Sequence, residues 1–185
     1  MNQQDKRGIC IWLTGLSGSG KTTIATLIVQ QILKIGQGVT LLDGDQVRKH
    51  LSKNLGFSRE DRNQNIRSIG FVADRIVYHG GIVVCAVISP YRIIRDEIRD
   101  KIENNGHFVE VFVNTPPSIC EHRDPKGYYA KARKGEIIGF TGIDDPYEAP
   151  LQPEIVAETV AHSPEQNAKL ILNYLNYTVW EQYSV

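Results

Sequence analysis

The chain has 185 residues, a length that suits one domain (residues 1–185) with a substantial buried core. Its 21 basic residues balance 21 acidic residues, so we expect neither nucleic acid nor a membrane surface as a partner. No apolar segment is long enough to span a membrane, residues 1–8 contain no hydrophobic signal core, and the three cysteines have no metal-like spacing. These features predict a cytoplasmic protein with reduced cysteines.

Residues 9–23 combine an apolar run, a glycine-rich turn and the start of a helical pattern. The turn matches G-x-x-x-x-G-K-[ST], the P-loop, in which glycines let backbone N–H groups point at phosphate oxygens. Lys21 can reach the β- and γ-phosphates of a nucleotide, and the Thr22 hydroxyl can ligate Mg²⁺. The sequence therefore predicts a nucleoside triphosphate site built from Gly15, Leu16, Ser17, Gly18, Ser19, Gly20, Lys21, Thr22 and Thr23.

Helical and strand patterns alternate along the rest of the chain. Apolar residues recur every three or four positions in 24–35, 66–76 and 94–102, a spacing that predicts helices with one buried face. Apolar runs at 39–42, 82–88, 108–113 and 155–159 predict four strands after the first, and a capping box at 163–166 begins the last helix. The alternation predicts an α/β fold with a doubly wound, five-stranded parallel sheet and flanking helices.

Residues 123–153 differ from the rest of the chain in composition. They contain four of the eight prolines and several lysines and arginines, with a short helical pattern around 128–133. Such a stretch is typical of a mobile lid or substrate loop, and a solvated surface excursion explains the composition equally well. A lid over this site would exclude water and so protect a phosphate donor from hydrolysis.

Polar clusters near the predicted strand ends indicate a second substrate. Asp43 and Asp45 follow the second strand and could serve Mg²⁺ through water or an acceptor hydroxyl, although Asp-Gly-Asp can also be only a turn. Arg48, Arg62 and Asn65 offer planar donors for a second anion, such as phosphate or sulfate. A solvated helix face would explain the arginines, but the matched spacing of Asn65 favours a site.

A P-loop alone does not distinguish a kinase from an ATPase, a switch or a motor. The clusters favour a small-molecule kinase, and a nucleoside or sugar-acid kinase would share the P-loop and the acidic strand end. A non-catalytic ATP-binding regulator would also keep the P-loop.

Six stretches occur in an order that resembles one family. They read GLSGSGKTT at 15–23, LDGD at 42–45, LGFS with DR and NIR at 55–67, ISPYR at 88–92, RDPKG at 123–127 and FTGID at 140–144. Together they resemble the adenylylsulfate kinases over about residues 9–175, essentially the whole chain. The resemblance implies a P-loop NTPase fold and transfer of the ATP γ-phosphate, with Mg²⁺, to the 3′-hydroxyl of adenosine 5′-phosphosulfate. The product would be 3′-phosphoadenosine 5′-phosphosulfate for sulfate assimilation, and the protein would be a homodimer.

The resemblance also implies roles for individual residues. Arg48, Arg62 and Asn65 match residues that bind the phosphosulfate group. Phe57 and Phe140 match aromatic residues that sandwich the substrate adenine, and the polar, glycine-flanked loop around Phe140 argues against a role in core packing. The remaining residues of the implied substrate site are Ile88, Ser89 and Lys126.

The transfer could follow one of two routes, and the resemblance implies the first of them. Ser89 matches a serine that the family assigns as a phosphoserine intermediate. Direct in-line transfer needs no such intermediate, and the sequence places no His or Lys obviously beside Ser89 to activate it. We therefore predict direct transfer, with Lys21 on the phosphates and Asp45, rather than Asp43, accepting the hydroxyl proton.

Overall fold

The structure, a computed structural model, describes residues 8–51, 53–56 and 58–176. Its centre is a fully parallel five-stranded sheet, as the alternation of patterns predicted. The strands are β1 (Gly8–Thr14), β2 (Val39–Asp43), β3 (Ile82–Ala86), β4 (Gly106–Asn114) and β5 (Ile155–Glu158). Their order across the sheet is β2-β3-β1-β4-β5, so the P-loop strand lies in the middle.

Helices cover both faces of the sheet. They are α1 (Lys21–Lys34), α2 (Gly44–Leu51), α3 (Arg59–Tyr78), α4 (Arg92–Glu103), α5 (Pro117–Arg123), α6 (Tyr128–Arg133) and α7 (Pro164–Leu175). The apolar faces of α1 and α7 pack on one side of the sheet, and those of α3 and α4 pack on the other. Each layer buries its own apolar cluster, which confirms the doubly wound arrangement.

Capping residues and glycines in the sequence predicted several helix ends correctly. The Ser58 hydroxyl accepts a hydrogen bond from the Asp61 backbone N–H at 3.1 Å and begins α3. At α7 the predicted capping box is formed, with Ser163 and Gln166 bonding each other's backbone N–H groups. Gly36 follows the end of α1 with a φ of +78°, a left-handed conformation that glycine adopts without a Cβ clash.

Two strands differ from their predicted bounds by two residues at one end, and the other three differ by no more than one residue at either end. β3 ends at Ala86 rather than at residue 88, because the neighbouring strand β1 passes into the P-loop at this point. The carbonyl oxygen of Ile88 accepts from the Thr14 hydroxyl at 2.7 Å and not from a backbone N–H of β1. β4 begins two residues earlier than predicted, at Gly106, which pairs with Gly8. A Cβ on Gly106 would lie 2.4 Å from the Gly8 carbonyl oxygen, so this pairing requires glycine.

Three further features bear on the sequence predictions. All three cysteines are free and buried, which agrees with the prediction of reduced thiols. Within the described ranges, no helix is long and apolar enough to cross a membrane. The carboxyl ends of β1, β2 and β3 meet at one edge of the sheet, where ligands bind in open α/β folds.

Candidate active site

A cavity of about 990 Å³ opens at the carboxyl ends of the strands. Its lining comes from residues in the segments 17–24, 43–48, 62–66, 86–90, 123–128, 136–141 and 159–167. Small-molecule sites have volumes of roughly 300–1,000 Å³, so this cavity has room for more than one ligand group. Most of the residues predicted for the two substrates therefore share one space.

The P-loop has the backbone conformation that its glycines were expected to provide. Gly15 and Gly18 have φ angles of +154° and +74°. A Cβ on Gly15 would lie 2.7 Å from the Val113 carbonyl oxygen, and one on Gly18 would lie 2.9 Å from the Cys120 carbonyl oxygen. Both positions therefore need glycine for conformation and for close approach, and the turn brings residues 17–23 to the cavity wall.

Lys21 begins α1 and is almost fully buried at the base of the P-loop. Its ammonium group donates to the carbonyl oxygens of Gly15 at 2.9 Å and Leu16 at 2.6 Å, and to the Ser19 hydroxyl at 3.4 Å. Burial, and then repulsion from Lys126, lower the pKa of Lys21 from the usual lysine value to about 8. A phosphate beside this ammonium group would favour its charged form and raise the pKa again.

Thr22 and Asp43 meet beside the P-loop. The Thr22 hydroxyl donates to Asp43 Oδ2 at 2.8 Å, and Asp43 Oδ1 accepts from the backbone N–H groups of Asp45 at 3.0 Å and Gln46 at 3.4 Å. A hydroxyl and a carboxylate oxygen next to a phosphate-binding loop are the oxygen donors that Mg²⁺ prefers. These residues therefore fit a magnesium site, and Asp43 also holds the first turn of α2.

Asp45 and Lys126 form an ion pair across the mouth of the cavity. Asp45 lies in the first turn of α2, whereas Lys126 belongs to the segment 123–153. About half of each side chain is exposed, so the pair can separate without leaving a buried charge. The carboxylate of Asp45 is thus available to a ligand, while both oxygens of Asp43 already accept hydrogen bonds.

Arg62 and Asn65, on α3, both line the cavity as their spacing predicted. The Arg62 guanidinium donates to Thr141 Oγ1 at 2.8 Å, to Asp145 Oδ2 at 2.6 Å and to the Gly139 carbonyl oxygen. Arg62 therefore holds the loop 139–145 against α3. Asn65 is buried, and its Oδ1 has no hydrogen-bond partner among the described residues.

Arg48 and Phe57 are the predicted substrate residues that precede α3 in the chain. The Arg48 guanidinium donates to the Leu55 carbonyl oxygen at 3.1 Å and to that of Gly56, and burial lowers its pKa. Arg48 also lines the cavity. Phe57 lies outside the described residues.

Phe140 lines the cavity and also belongs to a small apolar cluster. The cluster consists of Leu16, Cys120, Tyr129 and Phe140, and the rings of Phe140 and Tyr129 meet edge to face with centroids 4.9 Å apart. The expectation that Phe140 would have no packing role was therefore wrong. Its glycine-flanked loop is held inward by Asp144, whose carboxylate accepts from the Gly139 backbone N–H at 2.6 Å and from that of Phe140.

Ser89 lies in the floor of the cavity, directly after Ile88, and is almost completely buried. Its hydroxyl accepts from Trp12 Nε1 at 3.1 Å and donates to Thr14 Oγ1 at 2.9 Å. Thr14 is in turn 2.9 Å from the hydroxyl of Tyr147, whose pKa burial raises to about 12. No lysine or histidine is among the side chains that bond the Ser89 hydroxyl in the described part of the chain.

The segment 123–153 packs on the P-loop. The Tyr129 hydroxyl donates to the Ser17 carbonyl oxygen at 3.0 Å. The Asp124 carboxylate stabilises the first turn of α6 by accepting from the backbone N–H groups of Tyr129 and Ala130 at 3.1 and 3.0 Å. Arg123, Lys126 and other residues of the segment line the cavity. Part of the segment therefore lines the cavity.

Sequence reasoning missed several residues of the site. Asp145 and Tyr91 complete the contact between α3 and the loop 139–145, with the Tyr91 hydroxyl donating to Asp145 at 2.8 Å. Tyr91 lies inside the ISPYR stretch and Asp145 directly after FTGID, so both motifs carried this signal. On α7, Asn167 also lines the cavity and has a buried Oδ1 without a described partner, and only its position after the capping box could have indicated it.

A P-loop at the end of the central strand of a doubly wound parallel sheet, with the Asp43 carboxylate at the end of β2 on the same edge, defines the P-loop NTPase fold class. The family model for adenylylsulphate kinase matches residues 7–158, and the chain belongs to that family.

Close relatives cover nearly the whole chain. The adenylyl-sulfate kinase of Rippkaea orientalis is 55% identical over 166 residues, 90% of either chain. That of Synechococcus sp. (strain JA-3-3Ab) is 52% identical over 170 residues, 92% of this chain and 95% of the relative. The structure of the Mycobacterium tuberculosis APS kinase CysC in complex with AMPPNP and APS superposes with a TM-score of 0.88 at 42% identity, covering 92% of this chain and 98% of that one.

Proposed function

We propose that this protein transfers the γ-phosphate of ATP to the 3′-hydroxyl of adenosine 5′-phosphosulfate and so makes 3′-phosphoadenosine 5′-phosphosulfate for sulfate assimilation. The observation that carries the proposal is the single cavity that joins the P-loop to Arg48, Arg62 and Asn65. A kinase must hold donor and acceptor side by side, and a cavity of this size allows it. The names of the relatives and the neighbour solved with AMPPNP and APS support the same reaction.

ATP would occupy the P-loop side. The backbone N–H groups of residues 17–23 and the N-terminus of α1 would hold the phosphates, and the Lys21 ammonium would leave its carbonyl partners to contact the β- and γ-phosphates. Thr22 and Asp43 would hold Mg²⁺, which neutralises charge on the phosphate oxygens when bound.

The acceptor would occupy the side formed by α2, α3 and the loop 139–145. Arg48 and Arg62 supply guanidinium donors for the phosphosulfate group, and the Asn65 side-chain amide supplies N–H donors to the same oxygens. Asn65 Oδ1, which lacks a partner among the described residues, can accept from a hydroxyl or amino group of the substrate. Phe140 would stack on the adenine, with Phe57 as its proposed counterpart. Ile88 and Ser89 would form the floor. Because Arg62 already bonds the loop 139–145, it would also hold Phe140 in place.

The transfer step would be direct. Asp45 would take the proton of the 3′-hydroxyl while the bond from that oxygen to the γ-phosphorus forms and the bond from phosphorus to the β,γ-bridging oxygen breaks, so that ADP leaves. Lys126 would move from Asp45 to the transferring phosphate, where Lys21 also stabilises the developing charge. The partly exposed Asp45 suits this role better than Asp43, whose two oxygens are engaged.

Ser89 would shape the acceptor floor and would not carry a phosphoryl group. Its hydroxyl is buried and engaged with Trp12 and Thr14, and neither partner is a base that could take its proton. A serine nucleophile normally needs such a base within hydrogen-bond reach.

The test is a turnover assay with purified protein, ATP, Mg²⁺ and adenosine 5′-phosphosulfate, followed by chromatographic identification of the product. We expect 3′-phosphoadenosine 5′-phosphosulfate and one ADP per product. Gluconate and adenosine serve as alternative acceptors, and strong turnover with either, but none with the phosphosulfate, would refute the proposed substrate. Tight ATP binding without any transfer would instead indicate a regulator.

Three further parts of the proposal concern the protein as a whole. We propose one catalytic domain with residues 123–153 as its lid, a homodimer in solution and a cytoplasmic location. Mass photometry of the purified protein tests the dimer. A dependence of turnover on added Mg²⁺, abolished by a chelator, tests the metal.

A further inference from the structure

Arg95 lies on α4, beneath the cavity floor, with only 2% of its surface exposed. Its guanidinium makes three short hydrogen bonds: Nε to Glu110 Oε1 at 2.8 Å, Nη1 to the Ser89 carbonyl oxygen at 2.6 Å and Nη2 to the Glu148 carbonyl oxygen at 2.7 Å. Arg95 is not part of the cavity lining. Any effect of Arg95 on the cavity therefore passes through the residues that it bonds.

The first of these residues is conformationally strained. Ser89 has a φ of +39°, and among the described residues other than glycine only Asp124 shares a positive φ. Ser89 also precedes Pro90, and a residue before proline is disfavoured in helical conformations. Such a backbone persists only where its surroundings hold it. The Arg95 bond to the Ser89 carbonyl and the side-chain bonds to Trp12 and Thr14 do this.

The second residue is the returning end of the segment 123–153. Glu148 donates its backbone N–H to the Pro90 carbonyl oxygen at 2.8 Å, and its carboxylate accepts from the Arg92 backbone N–H at 2.8 Å. With the Arg95 bond to the Glu148 carbonyl, these contacts attach the segment to the strand end that forms the floor. One guanidinium thus connects the floor and the lid segment.

We propose that Arg95 is a positioning residue for acceptor binding: it holds the Ser89 floor and the Glu148 end of the segment 123–153 in one relative geometry. The inference rests on the proposed function, because it assumes that Ser89 forms the acceptor floor. Charge alone does not explain the arrangement, since the Glu110 ion pair uses one nitrogen and the other two contact backbone carbonyls. A lysine could keep the ion pair but could not reach all three acceptors in this planar geometry.

The same helix offers a matched control. Arg99 lies one turn further along α4, where it pairs with Glu154 at 2.7 Å, with Glu103 at 3.1 Å and with Glu110 at 3.5 Å. It shares a carboxylate partner with Arg95, and the hydrogen bonds found for it go only to glutamate side chains. If the only effect of a lysine substitution were to disturb the ion pairs with these glutamates, Arg95→Lys and Arg99→Lys should lose activity to the same extent.

The kinetic experiment compares these two variants with the wild type. For Arg95→Lys we expect kcat/KM for adenosine 5′-phosphosulfate to fall by about 10²-fold, the order found when a reacting group is misplaced. The Kd for ATP should change less than about threefold, because the P-loop does not contact Arg95. Arg99→Lys should leave both parameters within about threefold. Equal losses in both variants, or equal losses for ATP and acceptor, would overturn the proposal.

A spectroscopic measurement tests the same point without turnover. The chain contains two tryptophans, and Trp12 Nε1 donates to the Ser89 hydroxyl, so the Trp12 indole N–H resonance in a ¹⁵N-labelled sample reports on the floor. A Trp12→Phe sample assigns the resonance. Arg95→Lys should shift it by more than Arg99→Lys, because Arg99 reaches Trp12 indirectly, through the ring of Phe108. A resonance that is unchanged in Arg95→Lys, or that shifts equally in both variants, contradicts the inference. If the wild type shows no turnover, the proposed function fails, and this measurement alone decides whether Arg95 holds the floor.

A second variant covers the case in which Arg95→Lys does not fold. Arg95→Gln combined with Glu110→Gln removes both members of the buried ion pair and leaves no unpaired buried charge, the main cause of collapse after such substitutions. It still removes the donors to Ser89 and Glu148. We expect the same selective loss of kcat/KM for the acceptor and the same indole shift, and normal acceptor kinetics in this folded double variant would refute the positioning role.

Discussion

The pKa of Lys21 predicts a specific pH dependence of ATP binding. Burial and the nearby Lys126 lower this pKa to about 8 in the protein without nucleotide. In the complex, phosphate oxygens would return it to at least the usual lysine value of about 10.4. ATP then binds the protonated lysine, so the affinity is fully present below pH 8 and is lost as the pH rises from 8 towards the higher value.

The magnitude follows from the fraction of protonated lysine in the free protein. With a pKa of about 8, the apparent Kd scales as 1 + 10^(pH − 8), which is about 1.1 at pH 7 and about 11 at pH 9. The Kd for ATP should therefore rise about tenfold between these values, or about 1.4 kcal/mol. Isothermal titration calorimetry at both pH values, with constant Mg²⁺ and ionic strength, measures the change.

The matched control is Lys21→Arg, because a guanidinium stays protonated throughout this range. Its affinity for ATP should be lower than that of the wild type but nearly independent of pH between 7 and 9. On binding ATP near pH 8 and above, the wild type should also take up protons at Lys21, whereas Lys21→Arg should not, and the dependence of the binding enthalpy on the buffer reveals this uptake. A wild-type Kd that is flat over this interval, or an equal slope in Lys21→Arg, would refute the reasoning.

Three other predictions concern the transfer step. Lys21→Ala should abolish turnover while the protein stays folded, and unchanged turnover would remove the P-loop lysine from the chemistry. Asp45→Asn should lower kcat by about 10²–10⁴-fold, the usual cost of losing a general base, and by more than Asp43→Asn; the reverse order in steady-state assays would make Asp43 the base. Ser89→Ala should keep kcat within about tenfold of the wild type if transfer is direct. Complete loss with intact acceptor binding in calorimetry would favour a phosphoserine.

The parts of the fold that local spacing determines could be predicted from the sequence. The P-loop conformation follows from glycines at fixed positions, and the cap of α7 follows from Ser163 and Gln166 three residues apart. The alternation of patterns was enough for a parallel α/β sheet. It did not contain the strand order, because the order depends on how distant strands pair.

For the candidate site too, local spacing predicted some features and not others. Arg62 and Asn65 could be placed together because a helix brings residues three apart onto one face. The bond from Arg62 to Asp145, 83 residues away, left no trace in local spacing, so the support that Arg62 gives to the loop 139–145 could not be predicted. Arg95 was overlooked for a similar reason, since its three partners come from three separate elements. The packing role of Phe140 was not predicted because its flanking glycines suggest an exposed loop. In the structure, the bond from the Phe140 backbone N–H to Asp144 holds this loop inward.

The ion pair between Asp45 and Lys126 has a consequence for the order of events at the site. On the proposed roles, the Asp45 carboxylate accepts a proton and the Lys126 ammonium stabilises the transferring phosphate. In the protein without ligands these two groups neutralise each other. Lys126 has to leave Asp45 before it can contact the transferring phosphate, so a bound nucleotide that attracts Lys126 would also free the base beside it.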